Sequence, residues 1–357
     1  MTLRRVGFVL CSSAAQPLPS TRIAVLNMLP FLLSAGLQPL ILFEPMQPSE
    51  TPDLTDVAAR AVETGCDLVV LQKVHGTSAV ALARQLTAAG VRTIYLVCDL
   101  TDVPMVEATD ATVVVTEYLR SLHPAALQSR IHVVHDGIEQ PVACKSDWGS
   151  GSGTRGCPLQ AVLVTSADLD RLPVVVQPPA WLNVCIVGRY ATGLRRWRHI
   201  RWTLARQRPG ERLDYLRFLV DRRIECIPWD SQGVYREMEQ ADMALIPIET
   251  PADESGGEVP PAWKVKSENR LTMKMSMGLP VIATPIPSYE LVIEHGVNGF
   301  FARSAHDWGA CLTALRDPAR RREMGMAARA SVTQRYSMEE QAAKLIRVIR
   351  AISESGH

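Results

Sequence analysis

The stretch "KSENRLTMKMSMGLPVIATPIPSYE", residues 266–290, places a basic, polar turn before a methionine-rich helix, which a buried strand and a proline-punctuated loop follow. Ser267 is predicted to cap the helix, and Gly278 is predicted to end it before the strand "PVIAT". Because a helix start exposes N–H groups, and because Lys266 and Arg270 add positive charge beside it, the turn predicts an anion site, most simply for a phosphate. The alternative is that these charged side chains form a solvated first turn.

The loop "TPIPSYE", residues 284–290, follows the buried strand directly. Pro285 and Pro287 hold its backbone extended, and Ser288 is predicted to cap the next helix. Glu290 then enters the first turn of that helix. Because the loop leaves the carboxyl end of a strand, it is predicted to point toward a bound ligand. The alternative is a rigid turn in which the glutamate only favours the helix dipole.

Apolar runs alternate with helical stretches along the whole chain. Runs such as "RVGFVLC", "DLVVLQ" and "TIYLVCD" occur in the first half, and "QAVLVTS", "LNVCIVG" and "LPVIAT" in the second. Strands that are apolar throughout and alternate with helices indicate parallel sheets covered on both faces. With 357 residues, the chain is too long for one ordinary core. The predicted fold class is therefore α/β, with two doubly wound, Rossmann-like domains facing a central cleft.

A stretch rich in Gly and Ser, "KSDWGSGSGTRG", separates the two halves and is typical of a flexible connector. The chain closes with the amphipathic pattern "SMEEQAAKLIRVIRAI", for which Ser337 is the expected N-cap. The predicted organisation is an N-terminal domain over 1–145, a linker over 146–157, a C-terminal domain over 158–335, and a final helix over 336–357 that packs back toward the N-terminal domain.

The composition limits the classes of partner and compartment. An apolar share of 47% with 21% charged residues indicates a globular protein rather than a disordered one. The formal charge of +1 gives no general attraction to nucleic acid or to anionic membranes. The eight cysteines are scattered, without a C-x-x-C pair or zinc-like spacing, which predicts reduced thiols and a cytoplasmic location.

Two segments allow contact with a membrane surface as an alternative. Residues 23–43 are long enough to span a bilayer, but Asn27, Pro30 and Gly36 interrupt them, which favours a helix followed by a strand. The run "GLRRWRHIRWTLARQRPG", residues 193–210, interleaves tryptophans with arginines. It is predicted either to be a solvated helix face or to contact an anionic polymer, an anionic membrane or a lipid-linked acceptor. The alternative location is therefore peripheral, at the inner face of the membrane.

Much of the chain resembles a known family. The runs "ADMALIPIE", "KSENRLTMKMSMGLPVIATPIPSYELVIEHGVNGFFA" and "LRDPARRREMGMAARASVTQRYS" are similar to the carboxyl domain of family-4 glycosyltransferases of GT-B architecture. The shared pattern extends from about Asp242 to Ser337. Upstream, "IHVVHDGIE" resembles that family's I-x-N-G-V-D element, and "STRIAVLNMLPFLLSAG" resembles its first helix.

This resemblance implies retaining transfer of a sugar from a nucleotide-sugar donor to an acceptor. The C-terminal domain would hold the donor, a UDP- or GDP-sugar co-substrate, and the N-terminal domain would hold the acceptor. No cofactor and no metal would be required, because basic residues and helix N–H groups stabilise the leaving diphosphate. The residues implied at the donor's diphosphate and sugar are Lys266, Ser267, Asn269 and Arg270, and those near its nucleotide side are Ser288, Tyr289 and Glu290.

The sequence departs from the family pattern at the donor site. The family's E-x7-E pair, whose second glutamate grips the nucleotide ribose, falls here on Val265 and Met273, neither of which accepts a hydroxyl hydrogen bond. The positions of the family's phosphate-binding arginine and lysine carry Ser166 and Arg171, and Arg189 is a candidate substitute. These departures favour an alternative, a non-catalytic GT-B-fold protein that binds a nucleotide or sugar or acts as a partner subunit.

Three polar residues beyond the first strand, Ser20, Thr21 and Arg22, are predicted to bind the acceptor. Their loop, "SSAAQPLPSTR", contains no glycine where the family has a glycine-rich loop, so its backbone cannot approach a phosphate as closely. The alternative for the arginine is an ordinary residue of a helix's first turn.

Two neighbouring strands of the N-terminal domain end in "LQKVHG" and "VCDLTD". Lys73, His75 and Asp99 are predicted to be catalytic there. Asp99 stands where the resembled family often has a polar residue near the reacting sugar. A carboxylate at that point balances oxocarbenium charge or orients an acceptor hydroxyl. The alternative for Asp99 is a helix cap.

The sequence as a whole predicts a glycosyltransferase whose acceptor is a glycan, a lipid-linked molecule or a small molecule. Nucleic acid is not an expected partner. A GT-B epimerase or phosphorylase is a third class. The first would need a catalytic carboxylate pair and the second a pyridoxal lysine, and the sequence specifies neither.

Overall fold

The computed structural model describes residues 4–139, 144–165, 177–188, 193–230, 233–250 and 260–354. The chain forms two compact units. The first comprises Met1–Glu139, Ser255–Asn269 and Arg335–His357, and the second comprises Gln140–Glu254 and Arg270–Gln334. The chain therefore enters the second unit twice and ends in the first.

Each unit contains one sheet of six parallel strands. The strands of the first unit are β1 (Arg4–Val9), β2 (Leu37–Phe43), β3 (Leu68–Gln72), β4 (Arg92–Val97), β5 (Ala111–Val114) and β6 (Ile131–Val133). Those of the second unit are β7 (Leu159–Val164), β8 (Leu182–Gly188), β9 (Ile224–Pro228), β10 (Met243–Ile246), β11 (Val281–Ala283) and β12 (Phe300–Phe301).

Helices connect these strands. In chain order they are α1 (Pro19–Ala24), α2 (Leu29–Ser34), α3 (Val57–Glu63), α4 (Thr77–Ala88), α5 (Val103–Ala108), α6 (Glu117–Ser121), α7 (Gly193–Arg206), α8 (Pro209–Val220), α9 (Gly233–Gln240), α10 (Asn269–Ser276), α11 (Pro287–Glu290), α12 (Ala305–Ala314), α13 (Pro318–Val332) and α14 (Met338–Glu354). In the described part of the chain, no helix combines the length and the apolar character needed to cross a bilayer.

The first sheet has the strand order β2-β1-β3-β4-β5-β6. Its central strands are buried on both faces, as their continuous apolar sequences require. One face packs against α14, whose Leu345 and Ile349 join Val6 and Phe8 in a single apolar cluster. Ser337 caps this last helix as predicted, since its hydroxyl accepts a hydrogen bond from the Glu340 N–H at 3.1 Å.

The second sheet has the strand order β12-β11-β10-β7-β8-β9. Counted within the unit from β7, this is the doubly wound order 3-2-1-4-5-6, which reverses between β7 and β10. Such a switch point leaves a crevice outside the carboxyl ends of the strands, where doubly wound sheets bind dinucleotides. The prediction of two doubly wound α/β domains is therefore confirmed at the level of the two sheets.

The segment predicted as a flexible linker is hydrogen-bonded within the second unit. Arg321, which is fully buried, donates to the carbonyl groups of Trp148 at 3.0 Å and Gly151 at 2.7 Å. Trp148 in turn donates from Nε1 to the carbonyl of Gly278 at 2.9 Å. The segment forms no helix or strand, but Nε and Nη2 of this one guanidinium group hold its backbone by donating to the carbonyls of Trp148, Gly149 and Gly151. The predicted domain limits otherwise stay a prediction.

Gly278 and Gly325 meet beside Trp148. Gly278 has a φ of +80° and ends α10, as predicted, because its own N–H and that of Leu279 donate back to Met275 and Lys274. A Cβ at Gly325 would overlap the carbonyl oxygen of Gly278 and the indole of Trp148. This contact therefore admits only glycine at position 325.

Candidate functional site

The carboxyl ends of β3 and β4 bring together Lys73 and Asp99. Because the two strands are parallel neighbours, the residues that follow them lie at the same edge of the sheet. Nζ of Lys73 lies 3.0 Å from Oδ2 of Asp99 and 2.8 Å from Oε1 of Glu50. Glu50 lies in the long loop after β2, and the sequence analysis missed it because no periodic pattern marks that loop.

Lys73 has an uncommon backbone conformation. Its φ of 56° is the one positive φ of a residue other than glycine in the described part of the chain. Its N–H donates to the carbonyl of Leu96 at 2.8 Å, which fixes the turn against β4. A left-handed residue with a long side chain costs of order 1 kcal/mol or more, and such strain concentrates at binding and catalytic sites.

The ammonium group of Lys73 is held in its charged form. Burial alone would lower the pKa of Lys73, but the Cys98 sulfur and the carboxylates of Glu50 and Asp99 outweigh burial and hold the pKa above its usual range. The lysine therefore acts as a fixed positive charge and cannot serve as a general base near neutral pH. Burial, together with the charge of Asp99, raises the pKa of Cys98, whose thiol donates to Oδ1 of Asp99 at 3.3 Å.

His75 lies between two carboxylates at the same edge. Its Nε2 is 3.7 Å from Oε2 of Glu50, and its Nδ1 is 3.7 Å from Oδ2 of Asp102. Asp102 also caps α5 by accepting a hydrogen bond from the N–H of Met105 at 3.0 Å. The side chains of Glu50 and Asp99 remain nearly half exposed, so this edge offers carboxylate oxygens to the hydroxyl groups of a ligand. Within the described residues, no three Asp, Glu, His or Cys side chains are grouped to hold a metal ion.

The three residues predicted to bind an acceptor have different surroundings. Thr21 is fully buried, and its hydroxyl accepts from Ser12 at 2.7 Å and donates to Gln72 at 3.0 Å. The structure thus gives Thr21 a structural role instead, because both hydrogen-bonding capacities of its hydroxyl are used inside the unit. Arg22 forms a bidentate pair with Glu139, with distances of 2.6 and 3.0 Å. Ser20, which precedes them in α1, is partly exposed.

A buried polar cluster joins the segment after β6 to the residues before α10. His135 and Glu268 form its first contact, with 2.6 Å between Nδ1 and Oε1. The ring of His135 meets Tyr336 edge to face, with 5.0 Å between the ring centroids. The backbone N–H of His135 donates to Oε1 of Gln341 at 3.0 Å. The "HVVHDGIE" element therefore contacts two distant parts of the chain within the first unit.

Asp136 is the second acidic member of this cluster. Burial raises the pKa of Asp136 to about 6, a hydrogen bond from Ser267 opposes that rise, and the charges of Glu268 and Glu139 add to it. Ser267 was predicted to cap α10 and to contact the nucleotide-sugar donor. The helix instead begins at Asn269, which places Glu268 directly before it, and the Ser267 hydroxyl is bound to Asp136.

Helix α10 connects β10 to β11 and begins at the carboxyl edge of the second sheet. Asn269 begins the helix, Arg270 lies in its first turn, and Lys266 stands three residues before its start. All three residues are partly buried. Lys274 lies one turn further along and is fully buried, with Nζ donating to the Arg270 carbonyl at 2.9 Å. Burial, together with the charge of Arg270, lowers the pKa of Lys274 to about 7. The sequence analysis missed this lysine, because its spacing four residues after Arg270 is typical of any helix.

The two positions of the E-x7-E pattern are buried. Val265 lies in the core of the first unit, and Met273 is 9% exposed. Neither side chain offers a carboxylate. Ser166, Arg171 and Arg189 lie outside the described residues.

The loop "TPIPSYE", residues 284–290, differs from its prediction in two respects. Helix α11 begins at Pro287 with Ile286 at the cap position, so Ser288 does not cap it. Tyr289 is 1% exposed and packs inside the unit, which leaves its ring inaccessible to a nucleotide. The hydroxyl of Ser288 is buried and has no hydrogen-bond partner among the described residues. Glu290 is half exposed and lies 3.5 Å from the guanidinium group of Arg303.

Comparison with known proteins finds that the chain matches one family model and many solved structures. Residues 228–347 match the family described as "Glycosyl transferase-like". No curated protein sequence matches the chain. A glycosyltransferase from Rickettsia africae is 12% identical, with a TM-score of 0.70 and full coverage of both chains. Sucrose-phosphate synthase from Thermosynechococcus elongatus is 13% identical, with a TM-score of 0.66 over 99% of this chain and 100% of that one.

A third similar structure is that of the Anabaena protein HepE, solved in complex with UDP-glucose. It is 12% identical, with a TM-score of 0.63 over 97% of this chain and 99% of that one. At such identities the likeness shows the GT-B fold. Together with the family match, it confirms the predicted glycosyltransferase of GT-B fold, whereas the assignment to family 4 stays a prediction.

Proposed function

We propose that the protein transfers a sugar from a nucleoside diphosphate sugar to an acceptor hydroxyl, and that the start of α10 binds the donor's diphosphate. The observation that carries this proposal is Lys274, a fully buried ammonium group with no carboxylate partner among the described residues. An uncompensated buried charge is costly. An anion at the helix start, close to Arg270, would supply the missing negative charge.

A diphosphate suits this position for three reasons. The N–H groups at a helix start bind phosphate oxygens, and the helix dipole favours their charge. The reversal of strand order in the second sheet is the kind of site where doubly wound folds bind nucleotides. HepE, whose fold this chain shares, was solved with UDP and with UDP-glucose. We therefore propose a UDP- or GDP-sugar as the donor, held by Lys266, Asn269 and Arg270. Glu290 and the Ser288 hydroxyl, which has no hydrogen-bond partner among the described residues, are proposed to lie near the donor's nucleotide.

The reaction proposed for this site breaks the bond between the anomeric carbon and the diphosphate oxygen and forms a bond to the acceptor oxygen. Positive charge at the start of α10 stabilises the departing diphosphate, which makes a metal ion unnecessary. Retention of configuration is proposed from the family resemblance. The acceptor is a glycan, a lipid-linked molecule or a small molecule.

The edge formed by Lys73, His75 and Asp99 is proposed to act on the acceptor side, together with Glu50. Asp99 accepts a hydrogen bond from the acceptor hydroxyl or faces the positive charge that develops on the sugar. Lys73 pairs with Asp99 at 3.0 Å and fixes the position of its carboxylate. Ser20 and Arg22 lie beyond β1, the neighbour of β3 in the sheet, and are proposed to contact the acceptor further out.

A second candidate function is binding of a nucleotide or sugar without transfer, or service as a partner subunit. The buried Val265 and Met273 favour it, because neither position carries a carboxylate in place of the ribose-binding glutamate. The cytoplasmic location also stays a proposal. Hydrolysis or transfer of a bound donor separates the two candidates, because a binding protein releases no sugar.

Thermal unfolding with UDP, GDP, ADP and the corresponding nucleotide sugars tests the donor site. A ligand at a hundred times its Kd adds about 2.7 kcal/mol, which raises the unfolding temperature by a few degrees. We expect a rise with one nucleotide family, lost in Lys266→Ala/Arg270→Ala and kept in the matched control Arg60→Ala/Arg84→Ala, whose residues are exposed. A cooperative transition that no nucleotide moves contradicts the proposed donor site. Proton NMR of a bound nucleotide sugar then detects transfer or hydrolysis.

A further inference from the structure

Helix α7 presents an unusual combination of charge and exposure on the second unit. It carries five arginines and no acidic residue, although the whole chain has a formal charge of only +1. Every residue from Gly193 to His199 is exposed, and Thr203 is the only fully buried residue of the helix. Ile200 and Leu204, on the same side as Thr203, pack against the core of the unit. The helix therefore contacts its own unit along one narrow stripe.

The exposed surface of α7 carries large apolar residues among its arginines. Leu194 is 81% exposed, Trp197 is 70% exposed and Trp202 is 54% exposed. Successive residues of a helix are about 100° apart, so Leu194 and Trp202 lie among the arginines on the side away from the core, and Trp197 lies at the margin of that side. We call this surface the basic aromatic face, and it consists of Leu194, Arg195, Trp197, Arg198, Arg201 and Trp202.

The next helix also exposes apolar residues. On α8, Leu213, Leu216 and Val220 are exposed and fall on one side of the helix at spacings of three and four residues. Tyr215 and Phe218, on the other side of α8, pack into the same core as α7. Both helices belong to the connection between β8 and β9, so their outward sides cover the same end of the second sheet.

We propose that the basic aromatic face and the apolar stripe of α8 dock the protein on the surface of an anionic lipid bilayer. Arginines bind lipid phosphate groups, tryptophans lie at the level of the headgroups, and leucine and valine reach the acyl boundary. A soluble anionic polymer would use the arginines alone and would leave Leu194, Leu213 and Val220 in water. The exposed aliphatic residues therefore favour a bilayer over a polymer.

The expected contribution of the arginines follows from the surface potential of an anionic leaflet. Each basic residue near such a surface contributes about 1 kcal/mol, which corresponds to about fivefold in the binding constant. Replacing Arg198 and Arg201 by glutamine is therefore expected to weaken binding about 30-fold. The effect falls as salt rises, because the attraction decays over the Debye length.

Sedimentation of the full chain with unilamellar vesicles tests this inference and requires no donor, so its outcome is independent of the proposed transfer. One set of vesicles contains phosphatidylcholine alone, and the other contains phosphatidylcholine with phosphatidylglycerol. We expect binding to the second set only, about 30-fold weaker in Arg198→Gln/Arg201→Gln and also weaker in Trp197→Ala/Trp202→Ala. The matched control Arg60→Gln/Arg84→Gln changes the net charge equally, on exposed positions of the first unit, and should bind like the unaltered protein. Circular dichroism and the unfolding temperature verify that each variant is folded.

Three results overturn the inference. The first is an absence of binding to anionic vesicles, and the second is binding that the α7 variants leave unchanged. The third is binding of the unaltered protein to soluble heparin without binding to vesicles, which assigns the face to an anionic polymer. Light scattering of the protein alone measures self-association. If the protein self-associates but does not bind vesicles, and Trp197→Ala/Trp202→Ala abolishes the self-association, the basic aromatic face is assigned to a second copy of the chain.

Discussion

His135 and Glu268 form a buried contact in the first unit, with Nδ1 of the imidazole 2.6 Å from Oε1 of the carboxylate. Nδ1 also lies 3.0 Å from the carbonyl oxygen of Val115. The hydrogen bond at this ring nitrogen is the one to Val115, and Oε1 of Glu268 is a buried oxygen without a hydrogen-bond partner among the described residues. Because Glu268 is 2% exposed, its carboxylate depends on this imidazole rather than on water.

Glu268→Ala is expected to lower the free energy of unfolding by about 3 kcal/mol, because removal of one partner from a buried pair leaves the other uncompensated. Glu268→Gln, which keeps the side chain's size and a polar oxygen beside Nδ1 and removes only the charge, should lose less. Glu290→Ala is the matched control, since Glu290 pairs with Arg303 at the surface and such pairs contribute about 1 kcal/mol or less. Urea unfolding at neutral pH measures the three. Equal losses for Glu268→Ala and Glu290→Ala contradict the prediction.

Asp136→Asn is expected to stabilise the protein in a pH-dependent manner. The pKa of Asp136 in the folded protein is about 6, above its unfolded value of about 3.9, so its ionisation opposes folding above pH 6. The variant should therefore gain up to about 3 kcal/mol at pH 7 to 8 and nothing near pH 4. Asparagine still accepts the hydrogen bond from Ser267. Unfolding temperatures across this pH range measure the gain, and a gain of equal size at every pH argues against a raised pKa.

Lys274→Met is expected to raise stability and to weaken donor binding. Since burial lowers the pKa of Lys274 to about 7, the unfolded chain binds more protons between pH 7 and about 10, and the penalty of the buried lysine is largest below pH 7. The variant should gain up to about 5 kcal/mol at pH 6 and progressively less toward pH 10. Lys344→Met, at a partly exposed position of α14, is the control.

The same lysine predicts proton uptake when a diphosphate binds. A nearby anion favours the ammonium form and raises the pKa of Lys274, so binding above pH 7 should take up a proton and weaken as the pH rises. Calorimetry in two buffers of different ionisation enthalpy measures the uptake. It should vanish in Lys274→Met. Uptake that persists in the variant assigns the proton to another group.

Asp99→Asn is expected to reduce turnover by about 10²- to 10⁴-fold, the range for loss of a group that assists proton movement. The nucleotide-induced rise in unfolding temperature should stay, because Asp99 lies in the first unit and α10 carries the donor contacts. Asp214→Asn, which removes an exposed carboxylate of α8, is the control. Steady-state rates decide whether kcat or KM changes. Loss of nucleotide binding together with activity would indicate a structural role for Asp99.

Gly325→Ala is expected to destabilise the second unit by about 3 kcal/mol, because the new Cβ would overlap the Gly278 carbonyl and the Trp148 indole. Gly309→Ala is the matched control, since a Cβ there meets no atom and the site lies in the exposed interior of α12. Alanine should stabilise that helix by about 1 kcal/mol. Thermal unfolding of both variants should therefore shift in opposite directions. Shifts of equal sign contradict a close contact between Gly325, the Gly278 carbonyl and the Trp148 indole.

The sequence by itself determined the elements that depend on local patterns. Continuous apolar runs predicted the parallel strands, Gly278 predicted the end of α10, and Ser337 predicted the start of α14. The placement of Lys73 and Asp99 at one edge also followed, because parallel neighbouring strands end together. Each of these inferences uses residues that are close in the chain or a rule of sheet geometry.

Only the tertiary structure decided which polar groups are buried and which partners they have. Glu50 reaches Lys73 from a loop without a periodic pattern, Glu268 reaches His135 from a distant segment, and Lys274 loses its solvent because neighbouring elements cover α10. Charge state and hydrogen bonding depend on desolvation and on distances of a few ångströms. Neither quantity is encoded by spacing along the chain, because both arise only when segments far apart in sequence pack together.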